Sequence, residues 1–266
     1  MRGAPEYRDQ AVRIVLRGNG RRVQQSRWSD FIDSVMIRFH IITLFPGTFD
    51  SYVNESILKR AQEDKKISFH FYNPRDYADD KFRHIDKKPY GGGPGMVIQA
   101  LPVIRAVEEA LANAKLKIIN SKLKNKDSKK KKIAVKIIFF SPTGTQFDTE
   151  YAKKTAKKYT DIIMVCGRYE GIDSRVKKVF KMEDVSVGPF VLTGGELPAM
   201  ILADSISRQI EGVLGDINSL EESRIASPDV YTRPEVLEYK GKKYRVPKVL
   251  LSGNHKDIDE WRSNRL

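Results

Sequence analysis

The sequence predicts an α/β protein built on a mostly parallel sheet with helices on both faces, and three observations carry the prediction. Apolar runs of about five to eight residues recur along the chain and alternate with segments of helical period. The runs are near-continuous rather than alternating apolar with polar, as expected of strands covered on both sides. Glycine-bearing loops follow or interrupt the later runs, and open parallel sheets hold ligands in loops beyond the carboxyl ends of their strands.

Residues 1–35 carry seven Arg against Glu6, Asp9, Asp30 and Asp33 and show no period. They read as a disordered extension or an upstream translation artefact ahead of a native start at Met36, and the acids argue against a transit peptide. Residues 37–45 (IRFHIITLF) open the fold as a buried strand. A helix is predicted over 49–62, a strand over 67–72 (ISFHFY), a long loop rich in Gly, Pro and charge over 73–99, and a helix over 102–114. The lysine-rich stretch 115–132 reads as a disordered insert. Then come a strand over 133–140 (IAVKIIFF), a helix over 149–159, a strand over 161–166 (DIIMVC), a last strand region over 183–193 and a helix over 198–211. Residues 212–230 turn polar and lose their period, which marks a flexible linker, and residues 231–266 form a short extension with one helical turn near 257–262.

The formal net charge is +14, yet residues 1–35 contribute +3 and residues 115–136 contribute +9, leaving +2 for everything else. Charge concentrated this way attracts polyanions through salt-sensitive contacts without specifying a site. The single cysteine, Cys166, excludes an internal disulfide framework and a Cys-rich zinc site, and it suits a reducing cytoplasm. The four histidines lack metal-ligand spacing, so no metal site is assigned. No apolar run approaches the roughly 18 residues of a membrane span. The expectation is a soluble, cytoplasmic protein with no membrane partner.

Three loops stand out: SPTGTQFD (141–148), GRYEGID (167–173) and GPFVLTGGELPAM (188–200). The last is punctuated by Gly and Pro around a single acid, Glu196, and suits neither a strand nor a helix. No G-x-G-x-x-G opens a helix after the first strand and no G-x-x-x-x-G-K-[ST] occurs, which disfavours ordinary dinucleotide and P-loop sites. LFPGTFD (44–50) looks like the opening of small-molecule nucleotidyltransferases, but their H-x-G-H pair has no counterpart in the SYVNESIL that follows. A nucleotide-like ligand held by backbone groups of several late strands stays open.

Taken together, PYGGGPGM (89–96), VCGRYEGID (165–173), LTGGELPAM (192–200), YTRPEV (231–236) and LLSGNH (250–255) resemble the bacterial tRNA (guanine-N1)-methyltransferases of the TrmD family. The resemblance covers residues 36–261 except the lysine insert and part of the linker. It implies the SPOUT fold, an α/β domain whose C-terminal part is tied in a trefoil knot, a rare exception to the rule that chains do not thread their own loops. It implies a homodimer that moves a methyl group from S-adenosylmethionine (SAM) to guanine N1 at tRNA position 37, beside the anticodon, with Mg2+ as an optional assistant. By match to the family motifs, Phe139, Phe140, Ser141 and Pro142 form one wall of the SAM pocket. Gly167, Tyr169, Glu170 and Gly171 form the second, and Val187, Gly188, Phe190, Leu192, Gly194 and Gly195 the third.

The chemistry asks for two more groups. Guanine N1 carries a proton that leaves as the methyl arrives, so a carboxylate base is expected. Charge gathers at O6, so a fixed cation there helps. The family correspondence assigns Arg208, on the helix after the knot, to O6; a surface ion pair with Asp204 one turn earlier is the competing reading. It assigns the base to Glu222, which stands before Ser223 where relatives place Asp, with Glu221, Asp216 and Asp229 as alternatives across a shortened linker. Relatives continue past GNHxxIxxWR with more helix, so residues 231–266 read as a shortened tRNA-binding segment. Two other functions stay open: a knotted RNA-binding protein without catalysis, and methyl transfer to another RNA guanine.

Overall fold

The structure, a computed structural model, describes residues 36–124, 134–214 and 229–263, all within a compact unit that begins at Ser34. β1 (Ile37–Ile42) leads through a 3-10 turn at Pro46–Thr48 to α1 (Asp50–Val53), α2 (Ser56–Glu63) and β2 (Ile67–Tyr72). β3 (Asp86–Lys87) and β4 (Val97–Ile98) pair antiparallel inside the long loop, and α3 (Ala100–Lys124) follows. β5 (Val135–Gln146), α4 (Thr149–Lys158), β6 (Asp161–Val165), α5 (Arg175–Val179), β7 (Glu183–Ser186) and α6 (Glu196–Arg208) come next. β8 (Val236–Tyr239), β9 (Lys242–Arg245) and α7 (His255–Ser263) end the described chain.

One five-stranded sheet runs in the order β2-β1-β6-β5-β7, with every pair parallel. The central strand β6 shows why its sequence is continuously apolar. Ile162 and Met164 join a core with Leu58 of α2, Ala152 of α4 and Leu202 of α6. Ile163 and Val165 join a second core with Val103 and Val107 of α3 and Val176 of α5. Successive side chains of a strand point to opposite faces, and here both faces meet helices, so DIIMV has no solvent side to mark. The α/β fold with a parallel sheet and helices on both faces is the one the sequence predicts.

The differences from prediction are local. The helix expected over 49–62 is two, because Asn54 and the extended Glu55 interrupt it before Ser56. The helix expected to end at residue 114 continues to Lys124, well into the stretch read as a disordered insert. No Gly or Pro stops it, and lysine is a good helix former. β5 runs on through Gln146, so SPTGTQ is strand rather than loop. Its pairing with β7 slips there, Val185 facing both Phe140 and Thr145, which throws residues 141–144 out as a bulge. The last strand region ends at Ser186, before Gly188 and Pro189. The helix predicted from residue 198 begins at Glu196 and ends at Arg208. The readings of residues 1–35 as an extension, of 125–132 as insert and of 215–228 as linker fall outside the described residues.

At the amino ends of the strands, Arg38 of β1 lies beside Asp161 of β6 in register. Arg38 donates Nε and Nη2 to Asp161 Oδ1 and Oδ2 at 2.6 Å each. Fully buried His40 lies with Nε2 3.0 Å from Asp161 Oδ1 and Nδ1 2.9 Å from the Tyr72 hydroxyl. The Thr160 hydroxyl donates to Asp161 Oδ2 at 2.8 Å, and Asn113 of α3 donates to the Tyr72 hydroxyl at 3.2 Å. Burial works to raise the Asp161 pKa, but hydrogen bonds from His40 and Arg38 and the Arg38 charge outweigh it and hold the carboxyl below its usual range.

Candidate active site

The opposite, carboxyl edge of the sheet carries a cavity of about 250 Å³. Phe139 and Phe140 reach it from β5, and the bulge adds Ser141 and Pro142. The turn after β6 brings Gly167, Tyr169, Glu170 and Gly171, and the segment after β7 brings Val187, Gly188, Phe190, Leu192, Gly194 and Gly195. Every residue of the three predicted walls therefore borders one space, and the start of α6 closes it with Pro198. The walls touch directly. The Gly195 amide donates to the Gly167 carbonyl at 3.0 Å, and a Cβ on Gly195 would stand 2.6 Å from Cys166 Cα. Only glycine allows that crossing.

The sequence reading missed an ion pair behind these walls. Glu196 opens α6, is 2% exposed, and accepts a hydrogen bond from the Thr43 hydroxyl at 2.8 Å. Arg168 Nε lies 2.9 Å from Glu196 Oε2. The distance is that of an ion pair, but the atoms are not aligned for a hydrogen bond, so the attraction is coulombic. The same guanidinium lies 4.8 Å over the Phe45 ring, and its Nη1 donates to the Thr193 carbonyl at 3.4 Å. Arg168 thus ties the second wall to the third and borders the cavity itself. The available signal was a lone acid at the start of a helix, where the N-terminal amides favour negative charge. Placing the helix start at residue 198 hid it. Burial, then the Glu196 charge, push the adjacent Cys166 thiol well above its ordinary pKa, with Arg168 opposing. That makes the thiol a poor nucleophile.

Of the two expected catalytic groups, only Arg208 lies among the described residues, and it is not brought to this cavity. Arg208 is the last residue of α6 and does not line it. Glu196 and Arg208 are the first and last residues of the 13-residue helix, which sets them about 18 Å apart along the axis. Its competing partner, Asp204, stands beside the Tyr52 hydroxyl, whose pKa is raised by burial and then by that carboxylate. Glu222, with Glu221 and Asp216, lies outside the described residues, while Asp229 is exposed. Among the described residues no group of three or more His, Cys, Asp and Glu gathers as a metal site, and no helix is long and apolar enough to cross a membrane.

A family profile described as tRNA (Guanine-1)-methyltransferase TrmD matches residues 37–266. The tRNA (guanine-N(1)-)-methyltransferase of Clostridioides difficile is 44% identical over 230 residues, 85% of this chain and 90% of the relative. The protein of the same name from Photobacterium profundum is 41% identical over 226 residues, 84% of this chain and 82% of the relative. That from Bacillus pumilus is 42% identical over 230 residues, 85% of each.

Proposed function

The chain belongs to the tRNA (guanine-1)-methyltransferase TrmD family, and from that premise we propose that it methylates guanine N1 at tRNA position 37 with SAM as methyl donor. The observation that carries the proposal is the convergence of three strand ends on one cavity lined by aromatic rings and backbone at the carboxyl edge of the sheet. The cavity suits the group. Phe139, Phe140, Phe190 and Leu192 offer apolar faces to an adenine, and the glycine-rich segments leave backbone amides and carbonyls within reach of its edge. When bound, SAM supplies an electrophilic methyl on a positively charged sulfur. Glu170 borders the same space with a carboxylate that matches this charge.

The crossing of the 192–195 segment over Gly167 and Arg168, with an isolated bridge between Arg168 and Gly194, supports the trefoil knot of the SPOUT fold. A homodimer with shared active sites accounts for the distance of Arg208 from its own cavity, since a second copy would bring Arg208 and the linker to it. Phe45, Tyr52, Leu197 and Ile201 are each between 41% and 54% exposed on and beside α6, an apolar area suited to that contact. In the assembled site Arg208 faces guanine O6 and Glu222 takes the N1 proton, while residues 231–266 hold the tRNA. Mg2+ enters only as an assistant the family implies, with no ligand set among the described residues. The tRNA substrate makes the cytoplasm its place of work. Nothing favours a knotted RNA binder without catalysis or transfer to another RNA guanine.

Mass spectrometry of nucleosides from tRNA incubated with the protein and SAM tests the proposal. 1-Methylguanosine is expected from a transcript with G37 and not from one with A37; its absence from the G37 transcript overturns the assignment. Light scattering tests the dimer, and a fully active monomer at micromolar concentration would refute the shared site.

A further inference from the structure

The C-terminal segment holds a hairpin that its sequence reading did not anticipate. Lys240 and Gly241 join β8 to β9 with φ of 48° and 74°, both positive, as a two-residue hairpin turn matched to strand twist requires. The register pairs Leu237 with Tyr244 and Tyr239 with Lys242, and, alternating with these, Val236 with Arg245 and Glu238 with Lys243. Residues directly opposite share a face. One face is therefore charged and closed on itself by the Lys243–Glu238 ion pair at 2.9 Å. The other presents Leu237, Tyr239, Tyr244 and Lys242.

That second face meets water. Leu237 is 55% exposed, Tyr239 59% and Tyr244 53%, and every residue of β9 is exposed. A two-stranded hairpin is marginal by itself, and leaving two tyrosines and a leucine uncovered on it adds an unfavourable hydration term that a partner would remove. The charge around the face selects the partner. Between Glu235 and Lys248 the chain has five cations (Lys240, Lys242, Lys243, Arg245 and Lys248) against Glu235 and Glu238. Lys240 Nζ lies 5.3 Å from the Tyr239 ring centroid, beside the aromatic face rather than remote from it. Aromatic rings interleaved with cations on an open sheet face suit unpaired bases joined by phosphates. A second copy of the chain would bring like charge to like.

We propose that the β8–β9 hairpin is a stacking platform for unpaired bases of the RNA substrate, with Tyr239 and Tyr244 as the stacking rings and Lys240 and Lys242 meeting the phosphates beside them. The proposal rests on the tRNA reading above for the identity of the RNA. The two tyrosines occupy diagonal positions of the ladder, roughly 7–8 Å apart, so that two bases of a splayed loop each find a ring.

The test measures binding of a transcript of the anticodon stem-loop to the full chain, beside a fully paired RNA duplex of equal length. Binding is read without methyl transfer, so failure of the hairpin and failure of the catalytic reading are separate results. Tyr239→Ala/Tyr244→Ala should weaken stem-loop binding by roughly ten-fold or more, leave duplex binding unchanged, and leave the salt dependence of binding unaltered. Tyr239→Phe/Tyr244→Phe should bind like the parent, and Lys240→Gln/Lys242→Gln should flatten the salt dependence. SAM binding by calorimetry should be the same in every variant. Unchanged stem-loop affinity in the double alanine variant overturns the proposal, as does an equal loss on the duplex. A changed oligomeric state with unchanged RNA affinity would make the face a protein interface and overturn it too.

Discussion

Two clusters of buried charge sit at opposite ends of the same sheet, and they are finished differently. At the amino edge, the Asp161 carboxylate faces two Arg38 nitrogens, His40 and Thr160, and the chain of contacts continues through Tyr72 to Asn113. At the carboxyl edge, the Glu196–Arg168 pair is close but misaligned, one carboxylate oxygen has no hydrogen-bond partner, and the guanidinium opens on a cavity. A saturated network costs little to keep buried and has nothing left to offer a ligand. An unsaturated one keeps interaction capacity in reserve, and here it does so where glycines bring backbone to the same space. The amino edge holds β1 and β6 together, and the carboxyl edge carries the cavity for which we propose SAM.

The largest expected effect belongs to the saturated cluster. Asp161→Ala removes the anion from between Arg38 and His40 and should cost about 3–5 kcal/mol of folding stability, read by denaturant unfolding. The fraction that stays folded should bind SAM like the parent. A matching loss of SAM affinity in folded protein would erase the distinction between the two edges.

Next comes the proposed base. Glu222→Gln keeps size and removes the proton acceptor, so single-turnover methyl transfer should fall by roughly 10²-fold or more with SAM affinity unchanged. Glu222→Asp should keep much of the rate. If Glu222→Gln reacts like the parent while Asp216→Asn or Asp229→Asn is dead, the base lies elsewhere in the linker.

A smaller effect sharpens the comparison from the other side. Glu196→Gln retains an acceptor for Thr43 but leaves Arg168 without its counter-charge. SAM affinity should weaken by roughly ten-fold, about 1.4 kcal/mol, with a smaller loss of global stability. The opposite ranking, stability lost and affinity kept, would make this pair a second structural cluster.

The smallest effect is in pH. The folded Asp161 carboxyl has a pKa below its unfolded value near 4. Its contribution is therefore complete above about pH 4 and drains away as pH falls through the folded value. Unfolding followed between pH 6 and pH 3 should show a drop in stability that Asp161→Asn does not share. An equal drop in both proteins would assign the acid sensitivity to other carboxylates.

The parts of the fold that were legible are those where one local pattern had one outcome. DIIMV and IRFHII could only be buried strands, and the glycine loops after β6 and β7 advertised backbone that must bend or approach something closely. What escaped were outcomes decided by contacts distant in sequence. The strand β5 continues through SPTGTQ because β7 offers a second register to pair with. The hairpin needed two weakly apolar runs, VLEY and KKYR, to find one another across Lys240-Gly241.

For the site, the sequence by itself marked the three glycine-bearing loops, because each is a short contiguous string, while the choice of wall residues within them came from the resemblance to the family motifs. The structure sets those residues around one cavity. Tertiary structure alone decided that Arg168 and Glu196 pair behind the walls, since 27 residues of chain lie between two charges that meet only when one segment crosses another. It also decided that Arg208 stands at the far end of α6 from the cavity next to which that helix begins. The physical reason is the same in both cases. Local conformation follows from propensity and steric limits within a few residues, whereas the partner of a buried charge and the reach of a helix depend on how whole elements pack in three dimensions.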